Sequence, residues 1–132
     1  PERLPIKPPK KTKPERIGTA YWIERGTGET REVWLMTRPD EGMLGGMRCL
    51  PDDGWSARED GSGDAPVAGT SEPVGAVRQT FTHAHLTLNV VRIRQGGTGP
   101  LSEGEWWPAD QLEDAGLPTL FVKAAALVLA QD

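Results

Sequence analysis

Residues 74–94 read VGAVRQTFTHAHLTLNVVRIR, and their patterning decides the fold class. β-Branched and apolar residues over Val74–Phe81 and again over His85–Arg94 predict two strands. In the second, Leu86, Leu88, Val90 and Val91 combine alternation with a buried run. The short segment Thr82–Ala84 between them predicts a turn. Working outward, IGTAYWIER over residues 17–25 and EVWLMT over residues 32–37 are rich in strand formers and flank a GTGET turn, which predicts an antiparallel hairpin. Towards the C-terminus, Trp106 and Trp107 end a short strand. Pro108, placed as a first helical residue, opens a helix of one or two turns stopped by Gly116. Pro118 opens the last helix, in which Leu120, Ala124 and Leu127 form one row and Phe121, Ala125 and Val128 the next, a wide apolar stripe suited to lying on a sheet. The expected class is α+β: a mixed β-sheet with helices packed on it.

The remaining segments are punctuated by chain breakers. Residues 42–55, GMLGGMRCLPDDGW, alternate glycines with apolar residues and end in a Pro-Asp-Asp-Gly turn, which predicts a tight loop with some strand character. Gly42, Gly45 and Gly46 look like a phosphate cradle at first sight. No Lys-Ser/Thr follows them and no helix opens there, so a loop needing positive φ is the better reading. Residues 56–73 hold Gly61, Gly63, Pro66, Gly69 and Pro73 among small and acidic residues and are expected to form a surface loop. At the N-terminus, prolines at positions 1, 5, 8, 9 and 14 favour an extended path, so residues 1–15 are expected to be a connector and residues 16–132 a single folded domain.

Charge and cysteine content limit the function classes. The chain of 132 residues carries a formal charge of -4. Residues 1–16 hold six basic side chains against two acids, a net +4, so residues 17–132 carry -8. A basic segment beside an acidic body suits contact with a polyanion through that segment alone. The single cysteine, Cys49, cannot form an internal disulfide or hold a metal by itself, which suits a reducing cytoplasm, and no apolar run reaches the roughly 20 residues a membrane span needs. Trp22, Trp34 and Trp107 are expected to pack on the sheet.

Three stretches, RIGTAYWIER, TRPDEGMLGGMRCLP and VRQTFTHAHLTL, followed by WWPADQL and AGLPTLFVKAA, stand in an order that resembles the C-terminal domains of MutY-type adenine DNA glycosylases over nearly the whole chain. That domain is Nudix-like, which adds a fold expectation to the α+β class. The resemblance implies a non-catalytic domain of a base excision repair enzyme that removes adenine mispaired with 8-oxoguanine. A helical N-terminal half, preceding the connector, would supply the glycosylase chemistry and a four-cysteine [4Fe-4S] cluster. No cofactor is expected in this chain itself. The implied partners are double-stranded DNA containing 8-oxoguanine:adenine mispairs and the N-terminal glycosylase domain, with the protein acting as a monomer in a bacterial cytoplasm. The connector's Lys7, Lys10, Lys11 and Lys13 would meet DNA phosphates.

Within that resemblance, Phe81, Thr82 and His83 are the expected 8-oxoguanine-binding residues. Guanine offers an acceptor at N7, whereas 8-oxoguanine carries a hydrogen there, so a side-chain oxygen accepting from N7–H prefers the lesion. Thr82 matches the position of the family's short hydroxyl residue, Phe81 would press on the lesion strand, and His83 would meet phosphate or orient the turn. Without the resemblance the same residues read as a core phenylalanine, an ordinary turn threonine and a satisfied surface histidine. His85, two residues beyond His83, would share its face in extended structure, but a metal site there lacks further ligands.

Two other functions compete. A free-standing Nudix hydrolase requires an Arg-Glu-x-x-Glu-Glu cluster on a helix, so that several carboxylates hold magnesium against substrate phosphates. Counting that spacing from Gly46 puts Asp52 at the first acidic position and then Asp60-Gly61 where Arg-Glu should stand, and the nearby Arg58-Glu59-Asp60 runs into Gly61-Ser62-Gly63. No catalytic residues are expected. A protein-docking module would use the acidic 52–72 loop as its contact.

Overall fold

The structure is a computed structural model that describes residues 13–38, 45–56, 59–63, 70–94 and 104–131. Strands β1 (Glu15–Arg25), β2 (Glu32–Thr37), β3 (Arg48–Cys49), β4 (Thr70–Thr80), β5 (His85–Arg94) and β6 (Glu105–Pro108) form one sheet in the order β3-β2-β1-β5-β4, with β6 also pairing β2. A 3-10 segment, Ala109–Ala115, and helix α1, Thr119–Leu129, complete the fold. The sheet is mixed, because β1 runs parallel to β5 while the other pairs are antiparallel. This is the α+β arrangement expected from the sequence. Among the described residues no helix is long and apolar enough to cross a membrane.

The strand alternation sorts side chains onto two faces. On one, Ala20, Trp22, Leu86, Leu88 and Val90 pack with Leu120, Phe121, Ala124, Ala125 and Val128 of α1, the stripe anticipated from the sequence. On the other, a smaller cluster joins Tyr21, Ile23, Trp34 and Ile93, with Trp106 meeting Trp34 edge-on at 5.1 Å between ring centroids. Trp22 is fully buried, Trp34 nearly so, and Trp107 packs half-buried against the main core while its Nε1–H donates to Gln111 O at 2.7 Å.

Several expectations are corrected in detail. The β1–β2 hairpin exists but pairs only at Glu24↔Val33 and Arg25↔Glu32, after which the strands diverge and β2 takes β6 and β3 as partners. β4 begins at Thr70, four residues before the expected start, and contains Pro73. The proline is tolerated because β4 lies at the sheet edge, and the register shifts between Pro73 and Gly75. The helix expected after Pro108 is a 3-10 segment. Pro108 ends β6 instead of opening the helix, and Gly116 stops the segment in the left-handed conformation with φ 73°. Gly46 has φ 76°, as the tight-loop reading requires, and its N–H donates to Arg38 O at 3.1 Å.

One buried charge pair fixes the far end of the sheet. Glu24 and Arg92 are 5% and 4% exposed. The guanidinium grips the carboxylate with both nitrogens, Nε to Oε1 at 2.8 Å and Nη2 to Oε2 at 3.2 Å, while Trp22 Nε1–H donates to Oε1 at 2.7 Å. Removing one member leaves a buried charge without its counterion, which costs about 3–5 kcal/mol. Glu24→Ala is therefore expected to lower the unfolding free energy in urea by about 3 kcal/mol or more, and an Arg92→Met change added to it should recover most of the loss.

Cys49 is buried, and burial pushes its thiol up from 9.0 to about 11 despite the opposing pull of Arg38. The folded value lies above the unfolded one, so the thiol's contribution to stability is intact below pH 9 and is lost as pH rises towards 11. At pH 8 the thiolate fraction in the folded chain is about a hundredfold below that of the unfolded chain, so native alkylation by iodoacetamide should be slower by about that factor. Equal rates for native and urea-unfolded protein would contradict this assignment.

Candidate nucleic-acid interface

The β4–β5 hairpin builds the candidate site. Its turn is closed by Phe81 N–H donating to Ala84 O at 2.8 Å. One residue further out on each side, Thr80 Oγ1 and His85 Nδ1 are hydrogen-bonded at 2.8 Å. Ala84 is buried and Phe81 packs half-buried on the main core, so the turn is anchored from below. Thr82 and His83 are left exposed at the tip. The structure thus brings the three expected residues together but gives them different settings. His83 lies in the turn and His85 begins β5, so the two do not occupy successive positions on one strand face as extended structure would have it. Among the described residues no group of three or more His, Cys, Asp or Glu is arranged to hold a metal.

The described end of the N-terminal segment expected to be a connector, Lys13–Glu15, meets the sheet at this same end. His85 N–H donates to Pro14 O at 2.9 Å, and the parallel register sets Glu15 beside His85. Lys13 is exposed just before this point. The other expected phosphate contacts, Lys7, Lys10 and Lys11, lie outside the described residues.

The face of the sheet opposite α1 changes character along its length. At the far end it carries Tyr21, Ile23, Val91 and Ile93, whereas near the turn the equivalent positions are Glu15, Ile17 and Thr19 on β1, His85, Thr87 and Asn89 on β5, and Arg78 and Thr80 on β4. This polar half is open: Ile17 is 54% exposed, and α1 packs on the other side. Arg78 spans β5 to reach Glu15 at 3.9 Å, with the two side chains 75% and 67% exposed. The sequence reading missed both Arg78 and the Thr80–His85 lock. Alternation over His85-x-Thr87-x-Asn89 was the available signal for the open face.

The carboxylates at the spacing of a Nudix site have other occupations. Beyond the short β2 pairing, the edge of β1 is covered by residues 51–53 and 60–61. Tyr21 N–H donates to Pro51 O at 2.8 Å, Asp53 N–H to Thr19 O at 3.2 Å and Gly61 N–H to Ile17 O at 2.8 Å. Asp53 accepts from Thr19 N–H through Oδ1 at 3.0 Å and from Gly63 N–H through Oδ2 at 2.8 Å. Asp60 Oδ1 accepts from Ile17 N–H at 3.0 Å. Asp52 accepts from Arg38 Nη1 at 2.8 Å and from Gly54 N–H at 2.9 Å. A side chain at Gly61 would collide with the Asp53 carboxylate, and one at Gly18 would collide with the buried Trp55 ring, so this covering is tightly seated. Asp52, Asp53 and Asp60 thus each hold backbone amides or a guanidinium of this chain, and the described parts of the segment contain no helix on which carboxylates could recur on one face.

At the opposite end of the sheet Arg31, Arg92 and Arg94 surround Glu24 in a depression bordered by the turn Gly26–Gly28. Its carboxylate is already held by Arg92, so its chemistry is that of a structural ion pair.

The profile of the NUDIX domain family matches residues 19–127. Among solved structures, the chain is similar to the C-terminal domain of mouse MUTYH, solved in complex with human PCNA, with a TM-score of 0.68, 18% identity and 89% of each chain covered. It is similar to the NUDIX domain of Shewanella oneidensis NrtR, solved with ADP ribose, with a TM-score of 0.68, 13% identity, and 95% of this chain and 93% of that one covered. The MutT protein from Methanosarcina mazei gives a TM-score of 0.64 at 16% identity, covering 89% of this chain and 94% of its own. At these identities the likenesses speak for the fold, and together with the profile, which spans most of the chain, they establish that this chain belongs to the NUDIX domain family.

Proposed function

We propose that this chain is a non-catalytic, lesion-reading domain of a MutY-type adenine DNA glycosylase, recognising 8-oxoguanine opposite the mispaired adenine. The observation that carries this reading is the tip of the β4–β5 hairpin, where Thr82 and His83 stand exposed beside the start of the basic connector. The Thr82 hydroxyl accepts the N7 hydrogen of 8-oxoguanine, a contact that guanine, with an acceptor at N7, does not offer. Phe81 anchors the turn in the core and lays its remaining exposed edge towards the lesion strand, while His83 donates to a phosphate. Lys13 and the connector lysines Lys7, Lys10 and Lys11 approach the backbone at the same end. The glycosylase chemistry belongs to a separate helical domain joined through the connector, and the similarity to the mouse MUTYH C-terminal domain accords with this arrangement.

The hydrolase reading draws support from the likeness to a solved NUDIX hydrolase from Alicyclobacillus acidocaldarius, with a TM-score of 0.60 and 13% identity. Against it stand Asp52, Asp53 and Asp60, whose oxygens are committed to Arg38 and to backbone amides. The docking reading assigned the acidic 52–72 loop to a protein partner. Asp52 and Asp53, half-buried, are held by Arg38 and by backbone amides, and the exposed Asp60 accepts from the Ile17 amide, so part of that loop's acidity is spent on the chain itself.

Two measurements follow. In fluorescence anisotropy at low salt, the 132-residue chain should bind an 8-oxoguanine:adenine duplex more tightly than the matched guanine:adenine duplex. Thr82→Val, which keeps the shape and removes the hydroxyl, should shrink that ratio by about fivefold or more, and Thr82→Ser should retain it. A preference untouched by Thr82→Val would overturn the assignment. Separately, the chain incubated with magnesium and nucleoside triphosphates or ADP ribose should release product no faster than a protein-free control. Metal-dependent turnover abolished by Asp52→Asn would establish the hydrolase instead.

A further inference from the structure

We propose that Arg78, on the open face of the sheet, is a backbone-phosphate site for the lesion strand, held in reserve by Glu15 until DNA binds. The proposal rests on the lesion-reading assignment of the neighbouring turn and adds a binding residue to it.

Arg78 opposes Thr87 on β5, two residues before Thr80, which closes the turn with His85. Thr82 is four residues beyond Arg78, a span of at most about 13 Å if fully extended, and successive phosphates of one DNA strand advance about 3.4 Å each along the helix axis, so a strand whose damaged base reaches Thr82 brings phosphates about three to four steps away within reach of this guanidinium. The surface around it suits such a strand. Thr80, Thr87 and Asn89 offer hydroxyl and amide groups, Ile17 is an exposed apolar patch for a sugar, and no described helix covers them.

Among the described residues, Arg78 and Lys13 are exposed cations at this end, with His83 at the tip and His85 in the lock. Glu15 is the carboxylate paired with Arg78 and so competes directly with phosphate for it, while Asp60 accepts from the Ile17 amide. At 3.9 Å and with both side chains largely exposed, that pair holds the arginine over β5 weakly. The two non-bridging oxygens of a phosphate accept a parallel pair of guanidinium N–H bonds, making it a stronger partner than this loose carboxylate. Glu15 is also the first strand residue after Pro14, whose carbonyl is held by His85. Release of Arg78 therefore occurs where the connector joins the domain.

The test uses the full chain and both duplexes across 50–200 mM salt, with the thermal midpoint of each variant as a check on folding. Arg78→Gln should weaken binding to the 8-oxoguanine and guanine duplexes by the same factor, roughly fivefold, and reduce the slope of log K against log salt by about 1 while leaving the lesion preference intact. Glu15→Gln should tighten binding to both by ~2-fold, a gain that a folding defect does not produce. The inference is overturned if Arg78→Gln leaves affinity and slope unchanged, or if Glu15→Gln weakens binding. The two readings separate cleanly. If Thr82→Val erases the preference while Arg78→Gln changes nothing, lesion reading stands and the phosphate site falls. If Arg78→Gln lowers the slope while Thr82→Val leaves the preference untouched, the phosphate site stands without the lesion role.

Discussion

Strand β1 is the element on which the rest of the structure depends, because both of its edges must be hydrogen-bonded in the middle of the sheet. On one side β5 runs parallel to it from Glu15 to Glu24, and on the other the β2 pairing ends after two residues. The backbone groups of residues 17–21 on that side would be left unsatisfied, at a cost comparable to several lost hydrogen bonds. Residues 51–53 and 60–61 fill the gap, and they do so with Asp53 and Asp60 as acceptors in place of carbonyl oxygens. In this NUDIX-family fold, two aspartates thereby serve the backbone of the central strand.

The same strand ties the proposed contact surface to the N-terminal segment. Because β1 and β5 are parallel, the start of β1 and the start of β5 lie side by side, and the start of β5 is the far side of the turn carrying Thr82. An antiparallel β1 would have put the connector at the opposite end, beside the Glu24–Arg92 pair. The basic connector, the exposed turn and the open polar half of the sheet therefore share one end of the molecule, while the buried ion pair and the Trp34–Trp106 contact stabilise the other.

Much of this was legible in the sequence, for identifiable reasons. The strands over residues 17–25, 32–37 and 85–94 and the stripe on α1 carry strong local periodicity, and burial decides their faces. The turn at 82–84 was legible because a short polar interval separates two apolar runs. Local rules failed where a tertiary partner decides the outcome. The first residues of β4, Thr70–Pro73, look like loop and become strand because β5 offers them a free edge. Pro108 looks like a helix opener, but pairing with Glu32 retains it in β6. Asp53 and Asp60 bind the amides of Thr19 and Ile17, more than thirty residues away, and the Arg78–Glu15 pair bridges strands distant in the chain, so neither leaves a trace in spacing. The sequence did exclude the Arg-Glu-x-x-Glu-Glu cluster, and the structure adds what the remaining acids do instead.

The proposed meeting of nucleic acid with the β4–β5 tip and the adjoining open face can be checked by titrating the isotopically labelled chain with a short 8-oxoguanine:adenine duplex and following backbone amide shifts by NMR. The largest changes should fall on Thr82, His83, His85, Arg78 and Glu15. Changes concentrated instead on the arginine-lined depression around Gly26–Gly28 and Arg94, or along α1, with the hairpin tip silent, would contradict it.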